Sequence, residues 1–125
     1  MTHEEVAKLT DEEIRIKVAE LCGWKSIEPY KPEGCQLYKD LFGLKRGRFG
    51  QIPNYPQDLN ACHEMEKCLR LTGVEGTGYV GYLEQIVLGA PWPEYDANKI
   101  LHMTRATARQ RCNAFVMTLT AVETP

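Results

Sequence analysis

The sequence predicts an α+β fold, a small antiparallel sheet sandwiched by helices, and three stretches carry that expectation. Thr10-Asp11-Glu12-Glu13 is a capping-box start for a helix. Thr104 to Leu119 places Ala108, Cys112, Phe115, Val116 and Leu119 on one apolar helical stripe. Between them, Cys35-Gln36-Leu37-Tyr38 alternates like a strand, and Leu41 to Gly50 mixes three glycines with three cations, as a basic hairpin would. Helices set apart from a run of short strands suit an α+β arrangement, read as a single domain over residues 1–125.

Bulk properties narrow the function classes. An apolar fraction of 43% and a charged fraction of 26% match a soluble globular chain. A net charge of −2 argues against polymeric nucleic acid as a partner, while leaving room for a local basic pocket. Five cysteines without C-x-x-C spacing read as reduced, mostly buried thiols, which fits a cytoplasmic protein. No apolar run reaches membrane-spanning length, and Met-Thr-His-Glu-Glu carries no signal-peptide pattern, so no membrane association is expected.

Taken in order, residues 1–9 read as a short polar arm. The helix opened by Thr10 turns Ile14, Val18 and Leu21 to one side, and Gly23 stops it. Pro29 to Gly34 is turn chemistry. The basic stretch at 42–50 reads either as a phosphate-gripping loop or as a solvated turn. Pro53 and Pro56 lead into a second helix from about Asp58 to Leu71. Ala61, Cys62, Met65, Cys68 and Leu69 form its buried face, with His63, Glu66, Lys67 and Arg70 on the solvent side. Gly73 to Gly81 reads as a loop. It contains G-x-G-x-x-G at Gly76, Gly78 and Gly81, but a helix rather than a strand precedes it, so a dinucleotide fingerprint is not expected. Tyr79 to Leu88 suits a short third helix, Ala90-Pro91-Trp92-Pro93 breaks it, and Lys99 to Met103 has weak strand character. Thr104 is the expected N-cap of the last helix.

Signatures of catalysis are thin. Ser26 has no nucleophile-elbow context, the three histidines lack metal-ligand spacing, and no cysteine stands in a Cys/His signature. No catalytic residue, metal or cofactor is therefore expected. Binding chemistry is better represented. Arg105 and Arg109, one turn apart near a helix start, suit a phosphate. Tyr82 and Trp92 flank glycine and proline breaks where a base could stack, and Asn98 and Thr107 could hydrogen-bond a base edge or ribose. Trp24 and Tyr55 read more readily as core. Cations and aromatics without a general acid describe a nucleotide receptor.

Three blocks resemble the phage α-β-α sandwich domain proteins: Asp11 to Trp24, Pro53 to Glu66, and Ala106 to Phe115. That family is similar in fold and pattern to the Thoeris anti-defence sponges. The resemblance implies a non-enzymatic homo-oligomer in the cytoplasm of a bacterial host, binding a cyclic ADP-ribose isomer or a cyclic oligonucleotide and holding it intact. Arg109 lies inside the closing block and is the one site residue the resemblance supports; Arg105, Tyr82, Trp92, Asn98 and Thr107 rest on chemistry and position. The alternatives are a small phage module that binds a host protein and a hydrolase of the same nucleotides.

Overall fold

The computed structural model describes residues 2–30, 40–69, 74–88 and 103–121. Their elements, in chain order, are α1 (His3–Ala7), α2 (Asp11–Leu21), β1 (Lys25–Tyr30), β2 (Asp40–Lys45), β3 (Arg48–Gln51), α3 (Leu59–Glu66), α4 (Val74–Leu88) and α5 (Ala108–Ala121). The fold is α+β, with a three-stranded antiparallel sheet in the order β1-β2-β3. The strand expected at Cys35 to Tyr38 lies outside the described residues.

Local chemistry explains most boundaries. Thr10 accepts from the Glu13 amide while the Glu13 carboxylate accepts from the Thr10 amide, closing the expected capping box on α2. The expected polar arm is instead α1, capped in the same way by Thr2 and Glu5 and anchored by a fully buried Val6. Asp58 caps α3 as expected, yet the helix ends at Glu66 rather than near Leu71. The β2–β3 connection is only two residues long. Arg46 and Gly47 both take positive φ, 53° and 76°, as the tight turn of a right-twisted hairpin requires. Gly43 allows the sheet to close on the core: a Cβ there would lie 3.0 Å from the Lys25 carbonyl oxygen and 3.1 Å from Ile52.

The glycine-rich stretch before Tyr79 is helical, not a loop, so α4 begins at Val74. Each mid-helix glycine costs roughly 1 kcal/mol relative to alanine. Packing offsets this, because α4 lies against α5 with Tyr79 and Leu83 buried. The last helix starts later than expected. Thr107, not Thr104, is its N-cap, with Gln110 as the reciprocal partner. Residues 103–104 are helical rather than strand-like.

Among the described residues, helix α5 is the centre and packs against α1, α2, α3 and α4. Its stripe is wider than the periodicity suggests: Asn113, Ala114, Met117, Thr118 and Thr120 are buried along with Cys112, Phe115 and Val116. The buried Thr118 and Thr120 hydroxyls donate to the carbonyls of Ala114 and Val116 at 2.7 and 2.6 Å, which removes the cost of hiding them.

The sheet is joined to α2 by Arg15. Its guanidinium donates to both carboxylate oxygens of Asp40, at 2.7 and 3.1 Å, to the Pro53 carbonyl at 3.2 Å and to the Ile52 carbonyl. The Arg15 hydrogen bonds, assisted by Gln51, hold the Asp40 carboxyl well below the usual carboxylate range. Because the folded-state value is the lower one, this pair stabilises fully above the unfolded value of about 3.9. Its contribution is lost as pH falls below that point. Asp40→Asn should lower stability at pH 7 by about 2 kcal/mol. It should also flatten the loss of stability below about pH 4 that the unmodified protein shows, as followed by urea unfolding across a pH series. An unchanged acid limb in the variant would exclude this pair as its source.

Candidate functional site

Among the described residues, the expected ligand residues Arg105, Arg109, Tyr82 and Thr107 do not gather at one cleft. Arg109 is turned inward. Its Nε donates to the Asn113 side chain at 2.9 Å, Nη1 to Asp11 at 2.8 Å, and Nη2 to the carbonyls of Val6 and Leu9 at 3.0 and 2.6 Å. Those bonds use the guanidinium to tie α5 to α1 and α2, where a phosphate contact was expected. Thr107 is likewise spent, its hydroxyl accepting from the Gln110 amide. Arg105 is exposed but lies in the turn before α5, so it does not share a helical face with Arg109. Tyr82 is half-buried against the core. Trp92 and Asn98 lie outside the described residues.

Other arginines are internalised too. Arg111 donates to the carbonyls of Ala106 and Thr104 and lies 3.5 Å from Glu66. Glu66 was expected on the solvent side of α3. It instead accepts from the Tyr79 hydroxyl at 2.8 Å, joining α3, α4 and α5. Burial, followed by this carboxylate, pushes the Tyr79 phenol up, so it stays protonated as a donor.

Among the described residues, two concave regions stand out. The first, about 430 Å³, lies between α2, the sheet and the segment after β3, and includes Asp11, Arg15, Asp40, Asn54 and Gln57. Its polar groups are largely committed to each other: Arg15 to Asp40, Asn54 to Gln57, and Gln57 to Asp11. The second, about 970 Å³, is bounded by the ends of α2 and α3 and by the hairpin tip. It presents Lys45, Arg46, Arg48 and Lys67 against one carboxylate, Glu64, with Leu21, Cys22, Gly23 and Cys68 as its less polar wall.

Register explains why the tip cations meet this cleft. Lys45 pairs with Arg48 across the hairpin, two residues along from Gly43, on the side that carries the buried Leu41. The Lys45 ammonium stands 5.8 Å from the centroid of the Trp24 ring. Trp24 is itself fixed, donating from Nε1 to the Tyr55 hydroxyl at 3.2 Å, and Tyr55 is core, as its sequence context suggested. Lys67 pairs with Glu64 at 3.0 Å across an exposed helix end. Among the described residues, Arg46 and Arg48 have no ion-pair partner. The tip cations are visible in the sequence as a basic stretch. Their convergence with Lys67 is created by the tertiary fold and has no local signal.

Such an arrangement can bind an anion by charge and by guanidinium hydrogen bonds. Among the described residues, no group of three His, Cys, Asp or Glu side chains could hold a metal ion. No described helix is long and apolar enough to cross a membrane. No family model, curated protein or solved structure matches the chain. Fold and site together define a small α+β protein with a basic cleft at one hairpin tip.

Removal of Arg109 tests its structural assignment. Arg109→Ala should cost about 2–3 kcal/mol in urea unfolding, because the Leu9 and Val6 carbonyls and the Asp11 carboxylate each lose a donor from α5. A variant of unchanged stability would return Arg109 to the list of ligand contacts.

Proposed function

We propose that this protein is a non-catalytic receptor that sequesters a small phosphorylated nucleotide in the cleft between the hairpin tip and the ends of α2 and α3. The observation that carries the reading is the set of four cations around a cleft of about 970 Å³, within the size range of small-molecule sites. Arg46 strengthens it. At φ 53° a glycine or asparagine would be less strained by roughly 1 kcal/mol, so a side chain held there points to a use for its charge. Burial pushes the Cys22 thiol up, which keeps it a poor nucleophile at neutral pH and accords with binding without turnover.

The resemblance to phage anti-defence sponges supplies the ligand class: a cyclic ADP-ribose isomer or a cyclic oligonucleotide, taken up by a homo-oligomer in the host cytoplasm. The phosphates belong with Arg46 and Arg48 in this reading, not with Arg105 and Arg109. A second reading, a module that docks on a host protein, is favoured by the outward side of the hairpin. There Phe42 and Phe49 stack at 5.3 Å, and Leu44 and Phe49 are 39% and 61% exposed.

One retention experiment separates these readings. The protein is incubated with cyclic ADP-ribose isomers and with cyclic dinucleotides, desalted, heat-denatured, and the supernatant chromatographed. Intact released nucleotide is the expected result. Degraded nucleotide would favour a hydrolase, and no retention would favour the docking module. Arg46→Ala with Arg48→Ala should cut retention roughly tenfold or more. The thermal midpoint should be little changed, and retention by the unmodified protein should weaken as salt is raised. Wild-type retention by the double variant would remove the cleft from consideration.

A further inference from the structure

The β2–β3 hairpin carries two kinds of surface close together. Strand alternation sends Lys45 and Arg48 to the cleft side and the next cross-strand pair, Leu44 and Phe49, to the other. Leu44 is 39% exposed and Phe49 is 61% exposed, with the Phe49 ring stacked on Phe42 at 5.3 Å. Cations border this apolar pair. Lys25, exposed on β1, is the cross-strand partner of Leu44 and so lies on the same side of the sheet. Arg46 and Arg48, both exposed, stand nearer the tip, where the positive φ of Arg46 and Gly47 turns the chain in two residues. The two carboxylates of these strands lie toward the other end of the sheet. Glu28 pairs with Phe42, and Asp40 is held by Arg15. The tip is therefore basic and apolar together, and the acidic groups stand back from it.

We propose that the hairpin tip is a peripheral docking surface for an anionic lipid bilayer. Leu44 and Phe49 enter the boundary between headgroups and acyl chains, and Lys25, Arg46 and Arg48 meet the lipid phosphates. Charge complementarity carries the choice of partner. Each Lys or Arg close to an anionic leaflet strengthens binding about fivefold, and the three cations here border the side chains that would be immersed. Long basic side chains reach up to the phosphates while their stems lie along apolar surface. Area points the same way. Two exposed apolar side chains at a two-residue turn fall far short of the roughly 800 Å² per partner that a stable protein interface buries. A bilayer needs no matching shape, so a patch this small is useful to it. Charge alone or a small apolar insertion alone holds a protein weakly, and the two signals together hold it. Such adhesion needs no membrane-spanning helix, and it departs from the expectation drawn from the hydropathy of the chain. Arg46 and Arg48 are shared with the nucleotide cleft, whereas Leu44 and Phe49 are not among its lining residues.

Vesicle co-sedimentation tests it. The full-length protein is mixed with vesicles of phosphatidylcholine alone, or of phosphatidylcholine and phosphatidylserine in equal parts, and pelleted. It should pellet with the phosphatidylserine vesicles, progressively less as salt is raised, and stay in the supernatant with phosphatidylcholine alone. Leu44→Ser with Phe49→Ser should lower partition about fivefold or more, with nucleotide retention and thermal midpoint little changed. Arg46→Ala with Arg48→Ala should lower partition about tenfold or more. Should the serine variant misfold, Phe49→Trp gives a second readout. Its added indole emission, taken as a difference from the unmodified protein, should shift to the blue with phosphatidylserine vesicles. Failure of the unmodified protein to pellet with those vesicles would overturn the proposal. So would equal binding to both vesicles, wild-type partition by a folded serine variant, or an unshifted indole at position 49. Vesicle binding is measured without nucleotide, so this proposal and the nucleotide reading fail separately.

Discussion

Burial of α5 on nearly all sides is the constraint on which the other elements depend. A helix that hides Asn113 to Thr118 must find partners in every direction, and it takes them from α1, α2, α3 and α4. Apolar packing secures its middle, while its first turn is held by polar side chains. Arg109 reaches the Val6 and Leu9 carbonyls at the C-terminal end of α1, and Asp11 in the first turn of α2. The Val6 carbonyl already accepts from the Lys8 and Leu9 amides, and α1 has no basic residue in its last turn. A guanidinium from the far end of the chain adds a donor to Val6 and one to Leu9 just beyond α1, and fixes the α1–α2 junction against α5. Arg15 does the same for the sheet, so two arginines set the relative placement of helices and strands.

This arrangement brings together three stretches far apart in the chain: Asp11 to Trp24, Pro53 to Glu66, and Ala106 to Phe115. The opening block provides Asp11 and Arg15, the middle block Pro53, Gln57 and Cys62, and the closing block Ala108 and Arg109. They touch through Arg109–Asp11, Asp11–Gln57, Arg15–Pro53 and Cys62–Ala108. What the blocks share with each other is the packing centre of the molecule. Lys45, Arg46, Arg48 and Lys67 lie outside all three blocks. The packing centre and the basic cleft are thus built from separate stretches of the chain.

Elements with a local cause were legible in the sequence, and those with a distant cause were not. Thr10 and Glu13 lie three residues apart and cap each other, so the start of α2 could be read directly. Thr104 and Thr107 are both plausible caps, and the choice falls to Gln110, which reciprocates only with Thr107. The glycines at 76, 78 and 81 weaken α4 locally, and what restores it is contact with α5 from far along the chain. Val6 looked like part of a polar arm because one apolar residue among charges gives no period, yet its burial holds α1. Arg109 shows the limit most clearly. Composition and spacing identify a guanidinium near a helix start, but they cannot tell whether carbonyls of another helix or a ligand will occupy it.

The fate of the arginines also resolves how a chain of net charge −2 presents a positive cleft. Arg15, Arg109 and Arg111 are neutralised inside the fold by Asp40, Asp11 and Glu66 and by backbone carbonyls. Each such pair removes a cation and a carboxylate together, leaving net charge unchanged and the field at the hairpin tip undiminished. At the tip, a two-residue turn holds Arg46 away from any helix it could brace, and Arg48 faces Lys45, a like charge, across the ladder. Like charges directly opposed on a hairpin are unfavourable by a few tenths of a kcal/mol to about 1 kcal/mol. A bound anion between them would turn that repulsion into attraction, giving the hairpin tip what the arginine-braced core has already obtained from its own carboxylates.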